Sequence, residues 1–123
     1  MAERGVTMQA GMLDRRIEIQ YPVVTRNAVR DEVTAWQPWA SLPAHYEPGV
    51  GKEDFEGKQL VGQSRVAFIV RGVRQSAPKP AKPSRLMRVI YDGGVYGIED
   101  VQEIGRGPAY WRLLAVLKDN EKP

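Results

Sequence analysis

A chain of 123 residues with 42% hydrophobic content is long enough for one packed core and too short for two. It has no cysteine and a single histidine, His45, which excludes disulfides, thiolate metal sites and imidazole clusters. The net charge is +3, no apolar run could cross a bilayer, and the first residues lack the layout of a signal peptide. We therefore expect one domain, made in the cytoplasm, with no cofactor, no metal and no membrane partner.

Periodicity and composition divide the chain into an arm, a domain and a tail. Residues 1–12 show no periodicity and predict a flexible N-terminal arm. Residues 13–118 form the predicted β-barrel domain, with a helix inserted near 52–61 and a basic loop protruding near 72–85. Residues 119–123 are the predicted C-terminal tail.

Two long strands are predicted in the first half of the domain. Polar and apolar residues alternate from Arg15 to Tyr21, and Pro22 follows where a strand is expected to leave its ladder. A second strand begins near Glu32. It contains Pro38 and Pro43, which cannot donate to a neighbouring strand, so we expect it to be bent, bulged or at an edge of the sheet.

The segment from Lys52 to Val61 is the only helical candidate. Its acidic residues fall in the first turn, where the helix dipole favours them, and this explains them better than a cation site does. Phe55 is the natural apolar anchor of this helix on the barrel, although Gly57 makes the helix marginal by itself.

The second half of the domain predicts further strands. An apolar strand runs from Ser64 to Arg71, and two alternating runs meet at an Asp-Gly-Gly turn between Tyr91 and Val95, which indicates a hairpin. The last strand is apolar on both faces, so we expect a helix or another subunit to cover one of them. The fold class predicted is mainly β: a small antiparallel β-barrel or rolled sheet of about six strands with one short inserted helix and long loops.

Positive charge is concentrated in one part of the chain. No acidic residue occurs between Gly57 and Tyr91, whereas eight of the 18 basic residues do. The residues expected to face a DNA channel or a partner are Arg71, Arg74, Lys79, Lys82 and Arg85. This loop either meets phosphates or an acidic partner surface, or it is a solvated loop whose lysines serve solubility.

Residue spacing argues against catalysis. Ser41 and His45 are separated by roughly 13 Å along an extended strand, too far for a nucleophile and its base. Of the three tryptophans, Trp36, Trp39 and Trp111, two are expected in the core, and one at a subunit contact is the functional alternative.

The order of these segments resembles one protein family. The segments are a strand at 14–20, Ala44-His45-Tyr46-Glu47-Pro48, Gly51-Lys52-Glu53 opening a helix, a strand ending at Arg71, and the hairpin at 87–98. Together they are similar to the tailed-phage head–tail joining, or head-completion, family over roughly Met12 to Lys118. The resemblance implies a structural protein that forms a ring below the portal, closes the DNA-filled capsid and offers the tail an attachment surface.

The resemblance also implies partners and a location. The partners are further copies of the chain, a portal or adaptor protein, a tail or tail-terminator protein, and packaged double-stranded DNA contacted through its backbone only. The protein would lie in the host cytoplasm during assembly and then at the head–tail interface of the virion. The alternative is a monomeric nucleic-acid-binding β-barrel acting through the basic loop. The absence of any aromatic residue from Arg71 to Arg85 favours the connector, because single-strand binders stack bases on aromatic rings.

Overall fold

Alternating apolar and polar residues produce six strands in the computed structural model, which describes residues 13–29, 31–50, 65–105 and 110–123. The strands are β1 (Arg15–Arg26), β2 (Glu32–Pro48), β3 (Arg65–Arg71), β4 (Arg88–Tyr91), β5 (Gly94–Ile104) and β6 (Tyr110–Leu117). They close into one barrel in the order β1-β2-β3-β6-β5-β4, with every neighbouring pair antiparallel. The predicted mainly β barrel is confirmed. The predicted arm at 1–12, and the predicted helix at 52–61 with Phe55, lie outside the described residues.

The β1–β2 hairpin is longer than the sequence predicts. Pro22 does not end β1, which continues paired with β2 as far as Arg26. The physical reason is that β4 pairs with β1 only between Glu18 and Gln20, so beyond Gln20 that edge of β1 has no strand beside it among the described residues. A missing N–H is tolerated on such an edge. Residues 21–26 and 32–38 therefore form a two-stranded ribbon that projects past the barrel.

β2 carries a β-bulge beside Pro38, which is one of the three irregularities expected from its prolines. The register passes from Ile19 opposite Ala40 to Gln20 opposite Pro38, which leaves Trp39 as the extra residue. Trp39 turns into the core and is fully buried. A second register shift in β5, between Ile98 and Asp100, has Glu99 as its extra residue.

Aromatic side chains fill the inside of the barrel. Phe68 lies 5.5 Å from Tyr46, 5.5 Å from Tyr91 and 5.4 Å from Tyr96, measured between ring centroids. A second group is formed by Trp39 and Trp111, whose ring centroids are 6.3 Å apart. Aliphatic residues complete the packing, among them Ile17, Ile19, Val70, Val89 and Leu113. The barrel is a packed core and not a pore.

The β4–β5 hairpin has the turn that its sequence predicts. Asp92 and Gly93 have φ angles of 52° and 79°, and Tyr91 pairs with Gly94 across them. Positive φ at both central residues matches the twist of the two strands, which is why the Asp-Gly pair is favoured there.

β6 is buried on both faces, as its sequence indicates. Its inward residues join the main core, and Leu114 and Val116 on the opposite face form a second cluster with Ala67 of β3 and with Val50. All three cluster members on the strands are fully buried.

Alkaline pH should destabilise the fold through Tyr96. Burial, followed by its proximity to Tyr46 and a hydrogen bond with it, raises the pKa of the Tyr96 phenol above the usual 10.0. Because the folded pKa is the higher one, this stabilisation is fully present below pH 10 and is lost as pH rises through the folded pKa. Denaturant unfolding between pH 8 and 11 should show a shallower alkaline loss of stability for Tyr96→Phe than for the wild type. Equal slopes for the wild type and Tyr96→Phe would contradict this.

Candidate functional site

The loop at residues 72–87 crosses one open end of the barrel. It joins β3 to β4, and these strands are three places apart in either direction around the closed order of six. A connection between opposite sides of a barrel has to pass over its mouth, here the end where β3 finishes and β4 begins. We call this segment the crossing loop. The ribbon projects from the same end, because β1 and β3 are both antiparallel to β2.

Trp39 holds the crossing loop on the barrel from two directions. Its indole Nε1–H donates to the Pro80 carbonyl oxygen at 2.7 Å. Its own carbonyl oxygen accepts from Gln75 Nε2 at 2.9 Å and from Lys79 Nζ at 3.2 Å. Since Trp39 is the extra residue of the bulge, its carbonyl is available to the loop instead of to the ladder. The crossing loop is thus tied to the barrel by three hydrogen bonds, while most of its residues from 74 to 86 are exposed.

Backbone hydrogen bonds also order the crossing loop internally. Gln75 N donates to Ala81 O at 3.1 Å, and Lys79 N donates to Ser76 O at 3.1 Å. Pro83 is buried, so part of the loop packs onto the barrel instead of protruding.

The structure brings the five predicted cationic residues to this end of the barrel but gives them different surroundings. The guanidinium of Arg71 lies 5.6 Å from the centroid of the Tyr110 ring. Lys82 Nζ is 4.0 Å from Glu103 Oε2, and both side chains are exposed. Lys79 is half-buried by its bond to the bulge, whereas Arg74 and Arg85 are exposed.

An open groove of about 640 Å³ runs beside the crossing loop. Arg85 and Leu86 line one side, and Glu99 and Asp100 of β5 line the other. Leu86 is 75% exposed, so the groove has an apolar side chain at its rim. Carboxylates of β5 therefore lie beside the cations of the loop.

Arg88 was not singled out by the sequence analysis, yet it is the buried charged residue of the described part of the chain, at 7% exposure. Its guanidinium lies 4.3 Å from the Trp36 ring centroid, and its Nε donates to Gln20 Oε1 at 2.8 Å. Its Nη1 is 3.4 Å from Glu121 Oε1 in the C-terminal tail. No local pattern could have marked these partners, because all three lie far from Arg88 in the chain.

The described residues contain no constellation suited to catalysis at Ser41 and His45. Arg16 Nη1 donates to Ser41 Oγ at 3.3 Å, and His45 Nε2 lies 3.9 Å from Glu47 Oε2. Within the same residues, no group of three or more His, Asp and Glu side chains could hold a metal ion. No helix of the described part is long and apolar enough to span a membrane.

A small closed barrel with a basic loop fixed across its mouth, and with a projecting ribbon, is typical of a binding or assembly module. The family model described as phage head completion protein matches residues 8–118. The chain belongs to the phage head completion protein family, and it is accordingly a structural protein of the phage head–tail region and a virion component. The resemblance seen in the sequence is confirmed.

Two solved structures share the fold. One is a chain of the virion of a native gene transfer agent particle, 20% identical with a TM-score of 0.57, over 89% of this chain and 94% of that one. The other is a solution structure of a Shigella flexneri 2a protein, 19% identical with a TM-score of 0.58, over 93% of this chain and all of that one (100%). No curated protein matches this sequence.

Replacing the anchoring tryptophan should loosen the crossing loop. Trp39→Phe removes the bond to the Pro80 carbonyl and leaves a smaller ring in the core, so the free energy of unfolding should fall by about 2 kcal/mol. Limited tryptic cleavage after the exposed Arg74 and Arg85, which are followed by Gln75 and Leu86, should become faster. Trp36→Phe, which alters a half-buried tryptophan outside the core, should leave cleavage at the two arginines unchanged. Unchanged proteolysis in Trp39→Phe would show that the indole does not anchor the loop.

Proposed function

We propose that this protein is a head-completion connector subunit, copies of which form a ring below the portal, close the DNA-filled capsid and present the attachment surface for the tail. The observation that carries the proposal is the basic crossing loop at the barrel mouth, in a chain of the head completion family.

The filled interior of the barrel supports a ring. Packed aromatic and aliphatic side chains leave no passage for DNA through a single subunit. A DNA channel would therefore have to be bounded by several subunits, each with one surface turned to the axis. The crossing loop is the surface best suited to face the axis, because it combines exposed arginines with a fixed backbone.

The chemistry of the crossing loop suits phosphate backbones. Exposed Arg74 and Arg85 can contact phosphate oxygens without reading bases, as a channel for DNA of any sequence requires. The contribution of each cation would be electrostatic and would weaken with salt. Lys79 would act indirectly, by holding the loop on Trp39.

The ribbon is the surface best suited to a protein partner. Residues 21–25 and 33–38 contain no charged residue. Val24 and Val33 are 56% and 44% exposed, and neither edge of the ribbon beyond the barrel pairs with a further described strand. Projecting strands with a long uncharged stretch and open edges favour contact with another chain, which here would be a second copy, the portal or adaptor protein, or a tail or tail-terminator protein.

The monomeric nucleic-acid-binding barrel is less well supported. Such a protein needs aromatic rings beside its cations, on which bases can stack. The crossing loop contains none, and Trp39 and Trp111 are buried in the core. Trp36 is half-buried, and its ring already carries the Arg88 guanidinium.

Neutralising the exposed arginines should reduce DNA retention in particles. The double variant Arg74→Gln and Arg85→Gln removes two positive charges from the proposed channel surface while leaving Lys79 in place. We expect unchanged thermal unfolding, and particles that lose DNA faster as the salt concentration is raised, measured as nuclease-sensitive DNA.

A charge-matched control tests whether the position of these arginines matters. Arg15→Gln and Lys122→Gln remove two exposed positive charges, one at the end of the barrel away from the crossing loop and one from the tail. This pair should retain DNA as the wild type does. Normal DNA retention in the crossing-loop variant would show that these arginines do not hold DNA and would leave them a role in solubility. Equal loss of DNA in both variants would show that the net charge of the protein, and not the position of the arginines, determines retention.

Deleting the gene should prevent head completion and leave capsid assembly intact. Electron microscopy of the resulting lysate should show full-sized heads that have lost DNA, beside free tails. Complete particles in that lysate would overturn the connector proposal. Heads of abnormal size would instead place the protein in capsid assembly.

A further inference from the structure

The projecting ribbon is fixed to the barrel at its base. Among the described residues, the backbone of β1 beyond Gln20 pairs with β2 alone, so no further strand of this part of the chain sets the angle at which the ribbon leaves the barrel. The stretch of β1 that no longer pairs with β4 begins after Gln20. At this point the outward side chains of Gln20 and Trp36 contact Arg88 at the start of β4. Side chains at this point decide how firmly the ribbon is held.

Arg88 connects the ribbon base to the rest of the molecule. Its side chain is 8% exposed, and the planar guanidinium lies against the Trp36 ring while its Nε–H bonds Gln20. Gln20 is held in turn by its Nε2 donating to Glu18 Oε2 at 2.6 Å. A guanidinium removed from water needs an anionic partner, and the carboxylate that approaches it is that of Glu121 at 3.4 Å.

The C-terminal tail reaches Arg88 along a defined path on the outside of the barrel. Lys118 N donates to Val95 O at 2.8 Å, and Glu121 N donates to Lys118 O at 3.3 Å, which turns the chain toward Arg88. The stem of Lys118 passes over Gly97, where an added Cβ would stand 2.7 Å from Lys118 Cε. The Lys118 side chain therefore lies directly on the β5 backbone at Gly97.

We propose that residues 118–121 are a latch, in which Glu121 holds the guanidinium of Arg88 against Trp36 and thereby fixes the ribbon to the barrel. Release of the tail leaves the guanidinium without its carboxylate, weakens its contact with the ribbon base and frees the ribbon to change its angle. Because the coupling is thermodynamic, it is reciprocal: loosening the ribbon base also loosens the tail.

Amide hydrogen exchange on the full-length protein, followed by nuclear magnetic resonance, tests the latch. Glu121→Gln removes the charge and keeps the shape of the side chain. We expect exchange of the ribbon amides to accelerate roughly three- to fivefold, as befits a partly exposed ion pair, with β3 and β6 unchanged. Asp119→Asn is the matched control, since it removes the same charge from the same tail at an exposed position, and it should leave the ribbon as in the wild type.

The reverse experiment starts from the ribbon. Trp36→Leu removes the ring under the guanidinium and should accelerate exchange of the Lys118 amide, more than 80 positions along the chain, by a similar factor. The latch is overturned if Glu121→Gln leaves ribbon exchange unchanged, if Asp119→Asn accelerates it equally, or if Trp36→Leu leaves the Lys118 amide protected. Global acceleration that includes β3 and β6 would also overturn it, because the tail would then stabilise the barrel as a whole.

Discussion

Trp39 joins the crossing loop to the barrel. The bulge at this residue puts the indole inside the barrel against Trp111, and the same bulge leaves a backbone carbonyl for Gln75 and Lys79 to bind. The indole N–H then reaches the loop at Pro80. A long, proline-rich segment without strand structure is thereby held across the barrel mouth. The hydrogen bonds that hold it use groups of Trp39 that the strand ladder does not need. Without that anchor, the entropy of a loop of this length would keep its cations spread over many positions.

Closing the barrel also decides how such a subunit could serve a DNA-containing particle. A filled core excludes a passage within one chain, so the surface available to DNA is the outside of the barrel and its ends. The exposed arginines of the crossing loop, Arg74 and Arg85, lie at one end, and Glu99 and Asp100 of β5 line the groove beside Arg85. The ribbon projects from the same end. In the proposed connector, the crossing loop would contact DNA and the ribbon would contact another protein chain.

Arg88 illustrates how a charge can be structural in a basic segment. It belongs by sequence to the acid-free stretch, and the simplest interpretation would count it with the phosphate-facing residues. In the fold its guanidinium is nearly buried between Trp36, Gln20 and Glu121. Lys79 is similar, because its ammonium group is used to bind the bulge carbonyl. The number of basic residues in this part of the sequence therefore overestimates the positive charge that is accessible to a ligand.

The sequence by itself determined the elements whose signal is local. The Asp92-Gly93 turn, the alternation in β3 and β4, and the two apolar faces of β6 follow from side-chain period and turn chemistry, and these predictions are confirmed. Pro38 likewise indicated an irregular β2. The tertiary structure alone decided that β1 continues past Pro22, since this depends on where β4 stops pairing. It also decided that the basic loop is anchored and that Arg88 is enclosed, because both depend on partners from 33 to 68 positions away, whose approach is set by closure of the sheet.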